Sequence, residues 1–92
     1  MKQDPSKERI GRIIDEFNRY RRPEVVASPL VVEGNVLELI FRGTACASCG
    51  GQDYIEDFAY EASDGLGRMV TLGNFEALEG GGYRARYEIG EE

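Results

Sequence analysis

Residues 36–42, Val-Leu-Glu-Leu-Ile-Phe-Arg, alternate between two faces with the two-residue period of a β-strand. One face carries only large apolar side chains: Leu37, Leu39 and Phe41. The other face carries both charges of the segment and two aliphatic residues: Val36, Glu38, Ile40 and Arg42. This alternation is typical of an antiparallel strand that packs one face on a core and turns the other to solvent. The segment therefore predicts a half-buried antiparallel strand.

Two other segments have the period of an amphipathic helix, with apolar residues at i, i+3, i+4 and i+7. The first helix is predicted from about residue 6 to residue 21, and Pro23 ends it. Its apolar stripe comprises Ile10, Ile13, Ile14 and Phe17. The second helix is predicted from about residue 52 to residue 62, and residues 63–67, Ser-Asp-Gly-Leu-Gly, are expected to break it. Its apolar stripe comprises Ile55, Phe58, Ala59 and Ala62.

The remaining apolar segments predict further strands. Residues 25–27 and 30–32 are rich in β-branched side chains, with Pro29 between them limiting the first to an edge or an irregular start. After the second helix, three strands are predicted, with turns at Gly73-Asn74 and at residues 79–82; the strands are 68–72, 75–78 and 83–89. The order α-β-β-α-β-β-β indicates an α+β fold, with a small antiparallel or mixed sheet and two helices packed on one face. With 92 residues, we expect one domain, 1–92.

The charge distribution argues against nucleic acid or a membrane surface as a partner. The net charge is −6, and residues 24–92 carry 13 acidic against four basic residues. The basic group Arg19, Arg21 and Arg22 predicts either a solvated helix end or a docking point for an acidic partner. No apolar run is long enough for a transmembrane helix, and no signal peptide is visible, so we expect a cytoplasmic protein.

The absence of histidine limits the chemistry that this chain can perform. There is no histidine, and the two cysteines are Cys46 and Cys49. A Ser-His-Asp or Cys-His catalytic set cannot be built, nor can one chain supply four Cys and His ligands to zinc. The sequence therefore excludes these kinds of site, and we expect that the protein is not an enzyme in its own right, with a dithiol oxidoreductase as the alternative.

Cys46-Ala47-Ser48-Cys49 is a C-x-x-C motif between a predicted strand and a predicted helix. Two intervening residues let both sulfur atoms turn toward one metal ion or one edge of a cluster. Zinc and iron–sulfur sites usually take four ligands, so a homodimer with two thiolates from each chain would complete the site. Asp53 or Asp64 could instead complete a site within one chain.

Two alternatives stay open at this point. A strand, a C-x-x-C motif and a helix also occur in this order in thioredoxin-like dithiol oxidoreductases. In that fold a cis-proline faces the thiols, whereas all three prolines of this chain precede the cysteines. The second alternative is a protein-interaction module that holds no metal and uses exposed Tyr20, Tyr54 and Tyr60 for contacts.

The passage from the first helix to the second resembles the C-terminal domain of NifU, the Nfu-type iron–sulfur scaffold. The resemblance rests on Arg22-Pro23 after the first helix and on the strand that leads through Gly43-Thr44-Ala45 into the C-x-x-C motif, and it spans residues 8–62. It implies assembly or delivery of a cluster of the 4Fe–4S type, held by Cys46 and Cys49 of two chains, with a donor or acceptor protein as partner. Gly50-Gly51 also resembles a zinc knuckle, which makes zinc the alternative metal.

Overall fold

The computed structural model describes residues 5–43 and 51–90. They form two helices and four strands in the order α1-β1-β2-α2-β3-β4. The elements are α1 Pro5–Arg21, β1 Val26–Glu33, β2 Val36–Arg42, α2 Gly51–Leu66, β3 Val70–Ala77 and β4 Tyr83–Ile89. The predicted α+β class is confirmed, and the predicted bounds of β2 and β4 match the structure. In the described part of the chain, no helix is both long and apolar enough to cross a membrane.

The four strands form one antiparallel sheet in the order β1-β2-β4-β3, so β2 and β4 are central. Both helices pack on the same face of this sheet. That face contributes alternate residues of the central strands to the core: Leu37, Leu39, Phe41, Ala85, Tyr87 and Ile89. We call the opposite face, which neither helix covers, the open face.

Aromatic side chains fill the centre of the core. The Phe58 ring of α2 lies 5.3 Å from the Phe17 ring of α1 and 5.4 Å from the Tyr87 ring of β4, measured between centroids. Phe41 meets both phenylalanine rings edge-on. The Tyr87 hydroxyl donates a hydrogen bond of 2.7 Å to the carbonyl oxygen of Ile55, so its polar atom is satisfied within the core.

The second helix is longer than the sequence predicts. Residues 63–66, expected to break it, form its last turn, and the helix ends before Gly67, which has a φ of +69°. Leu66 continues the apolar stripe and is buried. The Ser63 hydroxyl donates to the carbonyl oxygen of Ala59 and accepts from the backbone N–H of Val70, so it ties this last turn to β3.

The first strand is continuous across Pro29. The two predicted segments join in β1, with a register shift between Pro29 and Val31. The proline is tolerated because β1 is an edge strand, where a missing N–H need not break a ladder. Near the start of β1, the buried Asn18 side chain bonds both the N–H and the carbonyl oxygen of Ala27, at 2.7 and 3.0 Å. Helix α1 thereby satisfies backbone groups of the edge strand.

The third strand is likewise continuous where a turn was predicted. Leu72 pairs with Tyr87 and Asn74 pairs with Arg86, so Gly73 is an extra residue opposite one step of β4. Such a β-bulge bends the strand without ending it, and glycine often marks the position. The segments 68–72 and 75–78 therefore form the single strand β3, and two strands follow α2 instead of three.

Candidate functional site

The C-x-x-C motif lies in the connection between β2 and α2. Cys46 and Cys49 belong to residues 44–50, which are outside the described residues, so their role as ligands stays a prediction. The elements on either side are described. β2 is a central strand that ends at Arg42, and α2 begins at Gly51. The predicted strand before the motif and helix after it are thus both present.

Both described ends of this connection contact the turn between α1 and β1. At Gly43, with a φ of +140°, an added Cβ would clash with the carbonyl oxygens of Glu24 and Pro23. Any side chain at this position would have to displace that backbone. On the other side, the Tyr54 hydroxyl in the first turns of α2 donates a hydrogen bond of 2.9 Å to Glu24 Oε1. Residues 23–24 therefore contact the chain just before the motif and just after it.

The hydrogen bond to Glu24 also changes the pKa of the Tyr54 hydroxyl. This bond, with desolvation and the glutamate charge in support, raises the pKa of the Tyr54 hydroxyl above its ordinary value. The side chain is half-buried, which differs from the exposed position expected of it. Tyr20 and Tyr60 are exposed as expected, with 72% and 76% of their surface accessible.

The two aspartates considered as additional ligands lie at opposite ends of α2. Asp53 is exposed in the first turn of the helix, on the side of the C-x-x-C motif. Asp64 follows the helix start by 13 residues, a separation of about 20 Å along the axis at 1.5 Å per residue. Asp64 is therefore remote from the start of α2. Within residues 5–43 and 51–90, no group of three or more Cys, Asp or Glu side chains is arranged to hold a metal ion.

The three arginines at the end of α1 lie in different environments. Arg19 and Arg22 are exposed, as predicted. Arg21 instead packs across the helix pair: its guanidinium carbon lies 4.2 Å from the centre of the Phe17 ring, and it forms an ion pair with Glu61 of α2. The expectation that all three arginines are solvated or free for an acidic partner is wrong for Arg21, because α2 supplies its partner.

A charge cluster on the open face is the principal feature that the sequence reasoning missed. Glu38 of β2 accepts hydrogen bonds from Arg84 Nε and Nη2, at 3.2 and 2.8 Å, and from Arg86 Nη1, at 3.3 Å. Only 11% of the Glu38 side chain is exposed, although it lies on the open face. The Arg84 hydrogen bonds, with the charges of both arginines in support, lower the pKa of Glu38 despite its desolvation.

The sequence contains one half of the signal for this cluster. Alternation places Glu38 on the face of β2 that points away from the core. It places Arg84 and Arg86 on the corresponding face of β4. What the sequence lacks is the pairing of β2 with β4, which sets Glu38 directly across from Arg86. Forty-eight residues separate these two side chains in the chain.

Comparison of the chain with protein-family models, with curated proteins and with solved structures finds no match in any of the three.

Proposed function

We propose that this chain is a metal-binding protein in which Cys46 and Cys49 of two copies hold one 4Fe–4S cluster or one zinc ion. In this proposal the protein is a homodimer that is not itself an enzyme. The resemblance to the Nfu-type scaffold extends the proposal to cluster assembly or transfer, with a donor or acceptor protein as partner. A reducing cytoplasm, where thiols stay free, is the proposed compartment.

The observation that carries the proposal is the position of the motif between two described elements. Residues 44–50 connect the end of a central strand with the start of α2, and the helix begins two residues after Cys49. The N-terminus of a helix carries partial positive charge and free N–H groups, which favour anionic ligands such as thiolates. Gly43 before the connection and Tyr54 after it both contact residues 23–24, so the two described ends are held against the same turn.

The set of donor atoms favours a shared site over a site within one chain. The sequence holds two thiols and no imidazole, and a tetrahedral zinc or a cubane cluster takes four protein ligands. Asp64 is remote from the start of α2, and Asp53 in its first turn would bring a site within one chain to three ligands. Two thiolates from each of two chains satisfy the requirement, with soft donors that suit either metal.

The test is metal analysis of protein purified without oxygen and without chelator, together with its visible absorption spectrum and its mass in solution. We expect one cluster or one zinc ion per two chains, and a dimer that dissociates when the metal is removed. Cys46→Ser and Cys49→Ser should each lower the metal content by at least about tenfold, because a hydroxyl is a poor ligand for these metals. Ser48→Ala is the matched control within the motif and should retain the metal.

Other outcomes of these measurements would contradict the proposal or favour one of the two alternatives. Unchanged metal content in Cys46→Ser would contradict the proposal. A monomer that stays free of metal after incubation with iron and sulfide or with zinc, yet turns over a disulfide substrate, would instead establish the dithiol oxidoreductase. If wild type and both serine variants neither bind metal nor turn over a disulfide substrate, the result would favour the protein-interaction module. Tyr20 and Tyr60 would then be its exposed contact residues.

A further inference from the structure

The open face of the sheet carries a shallow depression of about 330 Å³ above β4 and β3. Pockets that bind small molecules begin at roughly this volume. The depression is lined by Glu38, Asn74, Phe75, Glu76, Arg84 and Arg86. It lies on the face of the sheet away from the helices.

Strand register brings the polar lining of this depression together. In one row across the sheet, Glu38 of β2 lies opposite Arg86 of β4, and Arg86 lies opposite Asn74 of β3. In the next row, Arg84 lies opposite Glu76. Arg84 and Arg86 of β4 thus lie between a carboxylate on β2 and a carboxylate on β3.

Glu38 holds the two guanidinium groups over the open face. Its carboxylate is nearly enclosed, with one oxygen bonded to Arg84 and the other to Arg86. Each arginine side chain is 46% exposed while it is bonded to Glu38, so each keeps part of its surface open to solvent. A guanidinium that is held in place loses less conformational freedom when a ligand binds.

Most of the hydrogen-bond donors on these arginines are unused. A guanidinium has five N–H donors, and Glu38 takes two from Arg84 and one from Arg86. The remaining donors bond no other residue within 5–43 and 51–90. They are therefore available to an acceptor from outside the chain.

The charge balance of the depression selects among anions. Arg84 and Arg86 are matched by Glu38 and Glu76, so the lining as a whole is neutral. A planar carboxylate fits the fork of a guanidinium and brings one negative charge. A phosphate dianion fits the same fork but brings a second charge toward two carboxylates. A single carboxylate is thus the better match.

We propose that Arg84 and Arg86 bind the carboxylate of a small organic acid on the open face, with Glu38 as the positioning residue. Asn74, in the same row as Arg86, supplies an amide at the edge of the depression. The binding is weak and reversible, since the charges involved are open to solvent.

The experiment is a titration with sodium acetate followed by NMR, at constant ionic strength maintained with sodium chloride. The probes are the Nε–H resonances of the two arginines, and sodium phosphate at pH 7.5 is the competing anion. We expect saturable shifts with acetate in the millimolar range and weaker binding of phosphate. Arg86→Gln should weaken acetate binding by about twofold to fivefold, the scale of an exposed charge pair. Arg42→Gln, an arginine at the end of β2 on the same face, should leave it unchanged.

A variant of Glu38 tests its positioning role and the charge argument together. Glu38→Gln removes one negative charge, so binding of phosphate relative to acetate should rise about fivefold. Backbone amide spectra that overlay on wild type show that each variant is folded. Shifts that are linear in acetate, or that are equal in Arg42→Gln and Arg86→Gln, would overturn the site. Phosphate binding tighter than acetate in wild type would overturn the assigned ligand class.

Discussion

The two faces of the sheet are built from the same strands but are held together by different forces. On the covered face, Leu39 and Phe41 of β2 are fully buried beneath the helices. On the open face, Glu38, which precedes Leu39, is nearly enclosed as well, but by two arginines rather than by apolar side chains. Burial on one face comes from apolar packing, and burial on the other comes from charge pairing.

This difference separates what stabilises the molecule from what is free to bind. Apolar burial is worth about 25 cal/mol for each Å² removed from water, and it depends little on pH or salt. Ion pairs open to solvent contribute little and are screened by salt. We therefore expect the covered face to determine stability, and the open face to respond to solution conditions and to ligands.

The largest expected effect comes from the centre of the covered face. Phe58→Ala removes a ring that contacts Phe17, Phe41 and Tyr87, and we expect a loss of about 3–5 kcal/mol in the free energy of unfolding. Ile40→Ala is the matched control on the open face of β2. Its side chain is half-buried, so the expected loss is about 1 kcal/mol. Urea denaturation measures both, and equal losses would remove the distinction between the faces.

A smaller effect is expected for the Tyr87 hydroxyl in the aromatic core. Tyr87→Phe deletes the hydroxyl that bonds the Ile55 carbonyl oxygen and should cost about 1 kcal/mol. Burial raises the pKa of this hydroxyl, so the tyrosine should stay neutral in folded protein well above its ordinary titration range. Ultraviolet absorbance against pH tests this point. Titration of all five tyrosines near pH 10 in the folded protein would contradict it.

The smallest effect is expected on the open face, and it depends on pH. Because Arg84 and Arg86 lower the pKa of Glu38 in the folded state, its stabilising contribution is present above the ordinary glutamate value of about 4.5. That contribution is lost as the pH falls through the lowered pKa. Wild type should therefore be more stable than Glu38→Gln at pH 7, and the difference should shrink toward pH 3. A difference that is constant with pH would show that the Glu38 charge plays no part.

Local periodicity was sufficient for the elements whose burial follows one pattern throughout. The alternation of residues 36–42 and 83–89 predicted β2 and β4 with their observed bounds. The helical spacing that starts at Ile10 and at Ile55 predicted both helices and the faces that they bury. In these segments the side-chain pattern and the backbone period agree, so little else is needed.

Predictions from turn chemistry were less successful. Residues 63–66 contain an aspartate and a glycine and were expected to break α2, yet the helix continues because Leu66 has core to pack against. Gly73-Asn74 was expected to turn the chain, yet it forms a bulge because β4 pairs on both sides of it. In both cases packing with a distant element outweighed the local preference.

For the candidate sites, the sequence identified residues but not their partners. It singled out Cys46 and Cys49 by their spacing and by the absence of histidine, and their role awaits the metal analysis. It did not predict that Arg21 pairs with Glu61, forty residues away. Contacts of this kind depend on how two helices are placed against each other, which no local pattern encodes.

By itself, the sequence determined which faces of the helices and central strands are apolar, and which chemistry is excluded by the lack of histidine. Only the tertiary structure decided that β4 lies between β2 and β3, and therefore that Glu38 meets Arg84 and Arg86. The physical reason is the length of chain over which each feature is determined. A side-chain period is set by backbone geometry over a few residues, whereas the order of strands is set by packing of the whole chain.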